Sequence, residues 1–369
     1  MSAPVPVPRA SFWPDPTQRA LLQVALGPAK EAAARWQALQ PLDLSELPTG
    51  SFAALPLLYE RLAAVAPGDP QLPLLHGTYR STWYRNQLLL DRLDRLLPSL
   101  RAQGVEALVV GGAAAVRRWY PALGSRPVSP LELIVSPAAA PLVRAGCLVA
   151  GWRPAGARPW LLRFVGEGSV PLVVHAGAPA SLAGPLGPER GYAALRERAG
   201  ELPGSASAPL VLDAADELLR LCAGGARTVL PPSCQWLFDV WHLLSSGEAP
   251  PVERLLERAR LFRVLEPLRA TLIYLADALQ TTGLEEYLQP LERVRGNRRE
   301  RVAFRLAGMP GGRLTAAAQL AAAHLHASSD GPVSRAVTGL PRHLQETWRT
   351  SSRSEAVATG LRKTARLLR

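Results

Sequence analysis

The sequence predicts an α+β fold, in which helices flank a small mixed β-sheet and a C-terminal helical domain follows it. Three observations support this prediction. Residues 105–135 contain an apolar run, a glycine turn, a helical stretch and a second apolar run. Residues 160–175 contain two more apolar runs around a glycine-rich turn, which is the pattern of a β-hairpin. From Leu210 onward, amphipathic helical patterns with short connections replace the strands.

The first hundred residues are predicted to be mainly helical. Residues 1–16 are rich in proline and predict a mobile leader. Residues 17–104 form the predicted N-terminal helical region, with a linker at residues 41–50 and a glycine cap at Gly104. The predicted helices are Thr17–Leu26, Ala32–Leu39, Ser51–Val65 and Pro73–Gln103.

The central prediction is a strand, a turn, a helix and a second strand. Val105–Val110 is rich in valine and predicts the first strand. Gly111 and Gly112 end it, because only glycine lets a backbone turn so tightly or lie against a ligand. Ala113–Tyr120 then predicts a short helix, and Pro130–Val135 predicts a second strand beside the first.

The rest of the α/β core, which is assigned to residues 105–208, contains a helix and the hairpin. Ala138–Val149 predicts the helix, and Trp160–Val165 and Val170–His175 predict the two strands of the hairpin. Pro179–Arg190 is rich in proline and glycine and is predicted to be a loop.

Two helical regions follow the core. Residues 209–292 form the predicted helical domain, whose helices are Asp213–Cys222, Gln235–Leu244, Val252–Phe262 and Leu265–Gln280. Residues 293–369 form a basic helical tail, which contains the basic run Arg293–Arg305 and the predicted helices Leu314–His324 and Ser354–Arg369.

The positive charge of the chain is concentrated in this tail. The net charge is +12, and residues 293–369 hold 15 arginine and lysine residues but only four acidic ones. A surface of this kind can contact a polyanion. The tail has one aromatic residue after Arg305, Trp348, so base stacking is not predicted there. The alternative is a solvated arginine-rich surface, since 40 of the 42 basic residues in the chain are arginines.

Composition indicates a globular cytoplasmic protein. Apolar residues make up 48% of the chain, and no run of 18 apolar residues predicts a membrane helix. The N-terminus has no apolar signal core. The cysteines, Cys147, Cys222 and Cys234, are odd in number and far apart, which argues against a disulfide framework or a structural zinc site.

The central stretch resembles a large bacterial family of uncharacterised nucleotidyltransferases within the DNA polymerase β-like superfamily. In that family a strand ends in Lys-Gly or Gly-Gly, a helix with a Tyr-Pro follows, and Arg-Pro-x-Ser-Asp-x-Asp-Leu-Leu leads into the next strand. Here Gly111-Gly112, Tyr120-Pro121 and Arg126-Pro127-Val128-Ser129 occupy these positions, and Pro130-Leu131-Glu132-Leu133-Ile134 follows without a gap. A later Glu-x-His pattern matches Val173-Val174-His175. The resemblance covers roughly residues 75–279 and implies a nucleotidyltransferase-like core.

The resemblance also implies a degraded metal site. In such an enzyme, three carboxylates hold one or two Mg²⁺ ions against a nucleoside triphosphate (NTP), which stabilises an in-line displacement. Here the three positions hold Pro130, Glu132 and Val173, so one carboxylate remains. The chain is therefore interpreted as a degenerate member that binds a nucleotide or a protein partner, with weak Mg²⁺ binding. The alternative is an active Mg²⁺-dependent enzyme that transfers NMP to a protein or small molecule, with a missing carboxylate supplied by Glu167.

The same resemblance assigns catalytic roles to Glu132 and His175, and Glu132 is also the candidate metal ligand. A carboxylate on a buried strand needs a partner, so the alternative for Glu132 is an ion pair with Arg126 or Arg117. His175 can act as an acid or base near neutral pH, or it can be a packed core residue.

The remaining candidates are nucleotide-binding residues. Gly111 and Gly112 can cradle a triphosphate through backbone N–H groups, or they can form an ordinary turn. Arg126 can grip a phosphate with two N–H groups, or it can form a structural ion pair. Ser129 belongs to the same motif. Asp239 lies in a segment similar to a Trp-x-x-Asp segment of the family; it can orient substrate or hydrogen-bond a neighbouring helix.

Overall fold

The computed structural model describes residues 7, 10–40, 42–158, 160–202, 208–227, 233–281, 283–309, 315–327, 345 and 352. Helices dominate on both sides of a central sheet, so the predicted α+β class is confirmed. In chain order the helices are α1 Pro16–Leu26, α2 Ala29–Gln37, α3 Leu55–Val65, α4 Leu72–Ala102, α5 Gly112–Arg118, α6 Ala140–Val149, α7 Ala180–Ala183, α8 Gly187–Arg196, α9 Ala214–Gly225, α10 Gln235–Leu244, α11 Val252–Phe262, α12 Leu265–Leu279, α13 Glu285–Glu292, α14 Arg298–Ala307 and α15 Thr315–Ala327.

In the described part of the chain, seven strands form one mixed sheet. They are β1 Ala107–Val110, β2 Leu131–Val135, β3 Arg153–Arg158, β4 Leu161–Val165, β5 Pro171–Ala176, β6 Gly200–Glu201 and β7 Leu210–Val211. Their order across the sheet is β3-β4-β5-β2-β1-β7-β6. The predicted neighbours β1 and β2 pair antiparallel, and β4 and β5 form the predicted hairpin, so both predictions are confirmed. β2 and β5 run parallel.

Side chains on β2 and β5 alternate between two faces of the sheet, as strand geometry requires. Leu133 and Val174 lie opposite each other and are fully buried in the core. Glu132 lies opposite Val173, and His175 is two residues further along β5, so these three side chains share the other, half-buried face. This face carries the candidate site.

Local sequence signals set the ends of two important helices. Asp15 and Gln18 form a capping box at the start of α1, where each side chain accepts a hydrogen bond from the other residue's backbone N–H. At the end of α4, Gly104 adopts a left-handed φ of 73°, and the N–H of Val105 donates to the carbonyl of Leu100 at 3.0 Å. The predicted glycine cap at Gly104 is therefore confirmed.

One continuous hydrophobic cluster, extending along the chain from Leu21 to Leu291, joins the N-terminal helices, the sheet and the helical domain. Part of the predicted leader also packs against the fold. Phe12 is 1% exposed, and the ring of Trp13 stacks on Tyr274 with centroids 4.4 Å apart. Residues 10–13 are therefore anchored by aromatic contacts.

One of the predicted irregular segments is wrong. The predicted loop Pro179–Arg190 forms α7, a 3-10 turn and the start of α8. Prolines suggested a loop there, but they lie at helix starts, where a missing N–H costs nothing. The predicted linker at residues 41–50 contains a 3-10 turn, Leu44–Glu46, and the start of another, Thr49–Ala54.

Strand β3 was not predicted. Its sequence, Arg-Pro-Ala-Gly-Ala-Arg, has no alternation of apolar and polar residues, and all six residues are exposed at the edge of the sheet. Arginine and proline are residues that protect an edge strand from pairing with another chain.

The tail is described only in part. The predicted helix Leu314–His324 corresponds to α15, which packs against α14 through a small cluster of its own. The predicted helix Ser354–Arg369 lies outside the described residues. Within the described residues, no helix is both long enough and apolar enough to span a membrane.

Candidate functional site

The turn at Gly111 and Gly112 lies directly against residues 126–132, which lead into β2 and form its start. Gly111 has a φ of 66°, and a Cβ added there would lie 2.9 Å from Oε1 of Glu132. A Cβ at Gly112 would lie 2.1 Å from Nη1 of Arg126 and 2.7 Å from the carbonyl oxygen of Val128. Side chains and backbone of the protein itself therefore occupy the space that both glycines leave free.

Glu132 and His175 face each other across β2 and β5. Oε2 of Glu132 lies 3.9 Å from Nε2 of His175, which is too long for a hydrogen bond, and the side chains are 25% and 20% exposed. Desolvation raises the pKa of Glu132. The proximity of His175 and the positive charges of Arg220 and Arg126 outweigh desolvation, so the pKa lies below its ordinary value. Glu132 is therefore predominantly a carboxylate at neutral pH.

Arg126 and Asp239, two separate candidates in the sequence, form one buried ion pair. Nε and Nη2 of Arg126 donate to the two carboxylate oxygens of Asp239, each at 2.7 Å, and Nη1 donates to the carbonyl of Pro127 at 2.6 Å. The hydroxyl of Tyr120 donates to Asp239 at 2.7 Å. Asp239 is 2% exposed. This pair joins the loop before β2 to α10 of the helical domain.

Two neighbouring residues of α9 were not predicted. Nε and Nη2 of Arg220 donate to the carboxylate of Glu217 at 2.8 and 2.7 Å, and Glu217 is 1% exposed. The charge of Arg220 also lowers the pKa of Glu132 and of Asp239. The only sequence signal is an acidic and a basic residue three positions apart on a helix, which is common on solvated helices.

The remaining sequence candidates lie at the entrance to β2. Ser129 is exposed and is joined to Pro130 by a cis peptide bond. The family resemblance predicts carboxylate positions at Pro130 and Val173, and neither of these side chains can ligate a metal ion. In the described ranges, no three histidine, cysteine or acidic side chains lie close enough together to hold one. The residues present therefore do not fit a Mg²⁺ ion held by several carboxylates.

The alternative partners proposed for Glu132 lie elsewhere. Arg117 pairs with Asp94 at 2.6 Å, and Arg126 pairs with Asp239, so a direct ion pair between Glu132 and either arginine is wrong. Glu167, the alternative source of a metal ligand, is 93% exposed and pairs with Arg92 of α4 at 3.3 Å.

His242 provides a test of how this region is packed. Its ring lies 4.2 Å from that of Tyr120, and burial lowers its pKa to about 4, an effect only partly offset by Asp239. The neutral ring therefore stabilises the fold above its ordinary pKa of 6.5, and this stabilisation is lost as the pH falls toward 4. We expect the free energy of unfolding to fall by about 1–2 kcal/mol between about pH 7 and pH 5 from this group.

Urea unfolding at both pH values measures this effect, with His242→Phe as the control because it keeps a ring but cannot titrate. The difference in the free energy of unfolding between the two pH values should be smaller in the variant by about 1–2 kcal/mol. An identical pH dependence in both proteins would contradict the prediction.

Comparison with known proteins gives a match to a family model. A family model described as uncharacterised nucleotidyltransferase matches residues 53–280, from the 3-10 turn before α3 to the end of α12. No curated protein and no solved structure gives a significant match. The matched residues include the glycine turn, β2, β5 and the Arg126–Asp239 pair. Because the match covers more than half of the chain, the protein belongs to this family of uncharacterised nucleotidyltransferases.

Proposed function

We propose that this chain is a nucleotidyltransferase-like protein with a degraded metal site, and that it acts by binding a nucleotide or a protein partner rather than by efficient nucleotidyl transfer. The observation that carries the proposal is the set of residues around Glu132. A transferring enzyme needs metal ions to neutralise the attacking, leaving and phosphoryl oxygens. Here the face that carries Glu132 offers one carboxylate beside a valine and a histidine.

The pairing of charges around Glu132 supports the same proposal. Arg126 is paired with Asp239, Arg220 with Glu217, and the carboxylate of Glu132 lies near His175. A triphosphate that recruited either arginine would leave a buried carboxylate without its partner, which is unfavourable. The site is therefore better suited to a ligand that contacts the partly exposed side chains of Glu132 and His175, or to a protein surface that covers them.

Titration with Mg²⁺ tests this proposal. Isothermal titration calorimetry of the full-length chain with Mg²⁺ alone should show no tight stoichiometric binding, because Mg²⁺ is usually held by more than one anionic ligand. In a thermal-shift series with nucleoside triphosphates, any stabilisation should be the same, within about 1 °C, with and without Mg²⁺.

Two matched variants separate this proposal from the active alternative. Glu132→Gln removes the remaining carboxylate of the motif, and Glu167→Gln removes the alternative one on the exposed hairpin turn. Tight Mg²⁺ binding or Mg²⁺-dependent nucleotide stabilisation that either variant abolishes would refute the degraded site. Such a result would support an active enzyme that transfers NMP to a protein or small molecule.

A further inference from the structure

The solvent-facing side of α4 carries an unusual group of aromatic and basic side chains. We call this group the α4 aromatic face; it consists of His76, Tyr79, Arg80, Trp83 and Tyr84, and Arg85 lies beside it, on the side of Tyr84 away from Trp83. Trp83 is 45% exposed and Tyr84 is 61% exposed, although their neighbours Leu75 and Leu89 are buried. All five members of the face line a shallow groove along the helix. Contiguous exposed apolar surface often marks a site that contacts a ligand or partner.

The aromatic rings are held by contacts at one end of the face. The ring of Tyr59, from α3, lies 4.8 Å from that of His76 at an interplanar angle of 27°, and 5.1 Å from that of Tyr79. A ring that is held in place before binding loses less conformational entropy when a ligand stacks on it. The end of the groove at His76 and Tyr79 is therefore preorganised, next to the exposed rings of Trp83 and Tyr84.

The charges of the face suit a polyanion. No acidic residue occurs between Asp69 and Asp91, so the helix turns that carry the face contain only basic charges. Arg80 and Arg85 are exposed, and neither has an ion pair with any described residue. The nearby carboxylate is that of Glu60, which is half-buried and accepts a hydrogen bond from Ser125 at 2.8 Å. This carboxylate therefore repels a phosphate bound at the face only partly.

The face is joined physically to the candidate site. Nδ2 of Asn86 donates to the carbonyls of Leu123 at 2.5 Å and Arg126 at 2.6 Å, and Oδ1 accepts from the N–H of Val128 at 3.0 Å. The same loop passes over the ring of Tyr79 at Gly124, where an added Cβ would lie 2.5 Å from the ring. The loop that leads into β2 therefore lies directly on α4.

We propose that the α4 aromatic face binds single-stranded nucleic acid. Bases stack on Trp83 and Tyr84, and the guanidinium groups of Arg80 and Arg85 contact phosphates. This binding tolerates different base sequences, because every base has an aromatic face, and it requires unpaired bases. It is independent of nucleotide binding at Glu132 and differs from the predicted polyanion contact of the tail, which involves no stacking.

Fluorescence anisotropy tests the proposal with the full-length chain and labelled oligothymidylate and oligouridylate of about 12 nucleotides, within the usual range of such sites. We expect the double variant Trp83→Ala/Tyr84→Ala to bind at least about tenfold more weakly, as expected for the loss of base stacking. Both side chains are exposed, so circular dichroism and thermal unfolding should match the parent protein. Trp160→Ala is the matched control, since Trp160 is a similarly exposed tryptophan, 51%, in the turn between β3 and β4.

The basic residues give a second measurement. Arg80→Gln/Arg85→Gln should weaken binding and reduce the magnitude of the slope of log affinity against log salt by about 1.4, as expected when two phosphate contacts to a single strand are lost. A duplex of the same length should bind more weakly than the single strand. The proposal is overturned if the aromatic double variant binds as tightly as the parent, or if the duplex binds equally well. It is also overturned if these aromatic residues instead control binding to anionic lipid vesicles or self-association.

Discussion

Asp239→Asn is expected to lower the free energy of unfolding by about 3–5 kcal/mol, which is the usual loss when one member of a buried ion pair is removed. The reason lies with the charge that remains. Arg126 is 7% exposed and directs two N–H groups at the carboxylate of Asp239, so the variant leaves a buried guanidinium facing a neutral amide. The Tyr120 hydroxyl also loses a charged acceptor. Urea unfolding at neutral pH, followed by far-UV circular dichroism, measures the change.

Two controls identify the cause of that loss. Asp277→Asn removes the ion pair of Arg19 and Asp277, whose side chains are 38% and 51% exposed. This substitution should lower the free energy of unfolding by at most about 1 kcal/mol. The double variant Arg126→Met/Asp239→Leu removes both buried charges and should recover much of the stability lost in Asp239→Asn, because neither charge remains uncompensated. A loss below about 1 kcal/mol in Asp239→Asn would mean that the pair is solvated in solution.

This pair also shows where prediction from the sequence ends. Arg126 and Asp239 are each predicted as nucleotide contacts, with a structural ion pair for Arg126 and a helix–helix hydrogen bond for Asp239 as the alternatives, but the two residues are not predicted to pair with each other. Their distance along the chain is 113 residues, and no periodic pattern links a loop before a strand to a helix in another region. The strands were predictable, because valine-rich runs and glycine turns are local signals. The pairing of charges depends on how the helical domain docks on the sheet, which local signals do not encode.

Glu132 illustrates the same limit at shorter range. The alternation of side chains along β2 explains why Glu132 is partly exposed between the buried Leu131 and Leu133, because that rule depends on two-residue periodicity alone. The identity of its neighbour was not correctly predicted: the two arginines near it in sequence pair elsewhere, and His175 lies beside it through the parallel pairing of β2 and β5. Sequence patterns thus indicated Glu132 and His175 as candidates but not the ion pairs around them, and Arg220 was not predicted.

Gly112→Ala is expected to lower the free energy of unfolding by about 3 kcal/mol, near the upper end of the usual cost of overpacking. The added methyl group would lie 2.1 Å from Nη1 of Arg126 and 2.7–2.8 Å from backbone atoms of Val128. The guanidinium would have to move, which disturbs its bonds to Asp239, and the backbone of Val128 has little room to follow because it is hydrogen-bonded to Asn86. Urea unfolding measures the loss.

Gly77→Ala is the matched control, because Gly77 lies inside α4 with no atom within 4 Å of an added Cβ. There alanine should stabilise the protein by about 0.5–1 kcal/mol, through its higher helix propensity. Gly112→Ala should lower the free energy of unfolding by less when Arg126 is already replaced by methionine, because the added methyl group then no longer overlaps the guanidinium. The overlap with the backbone of Val128 remains, so some loss of stability is still expected. Additive effects of the two substitutions would show that Gly112 and Arg126 do not share this space in solution.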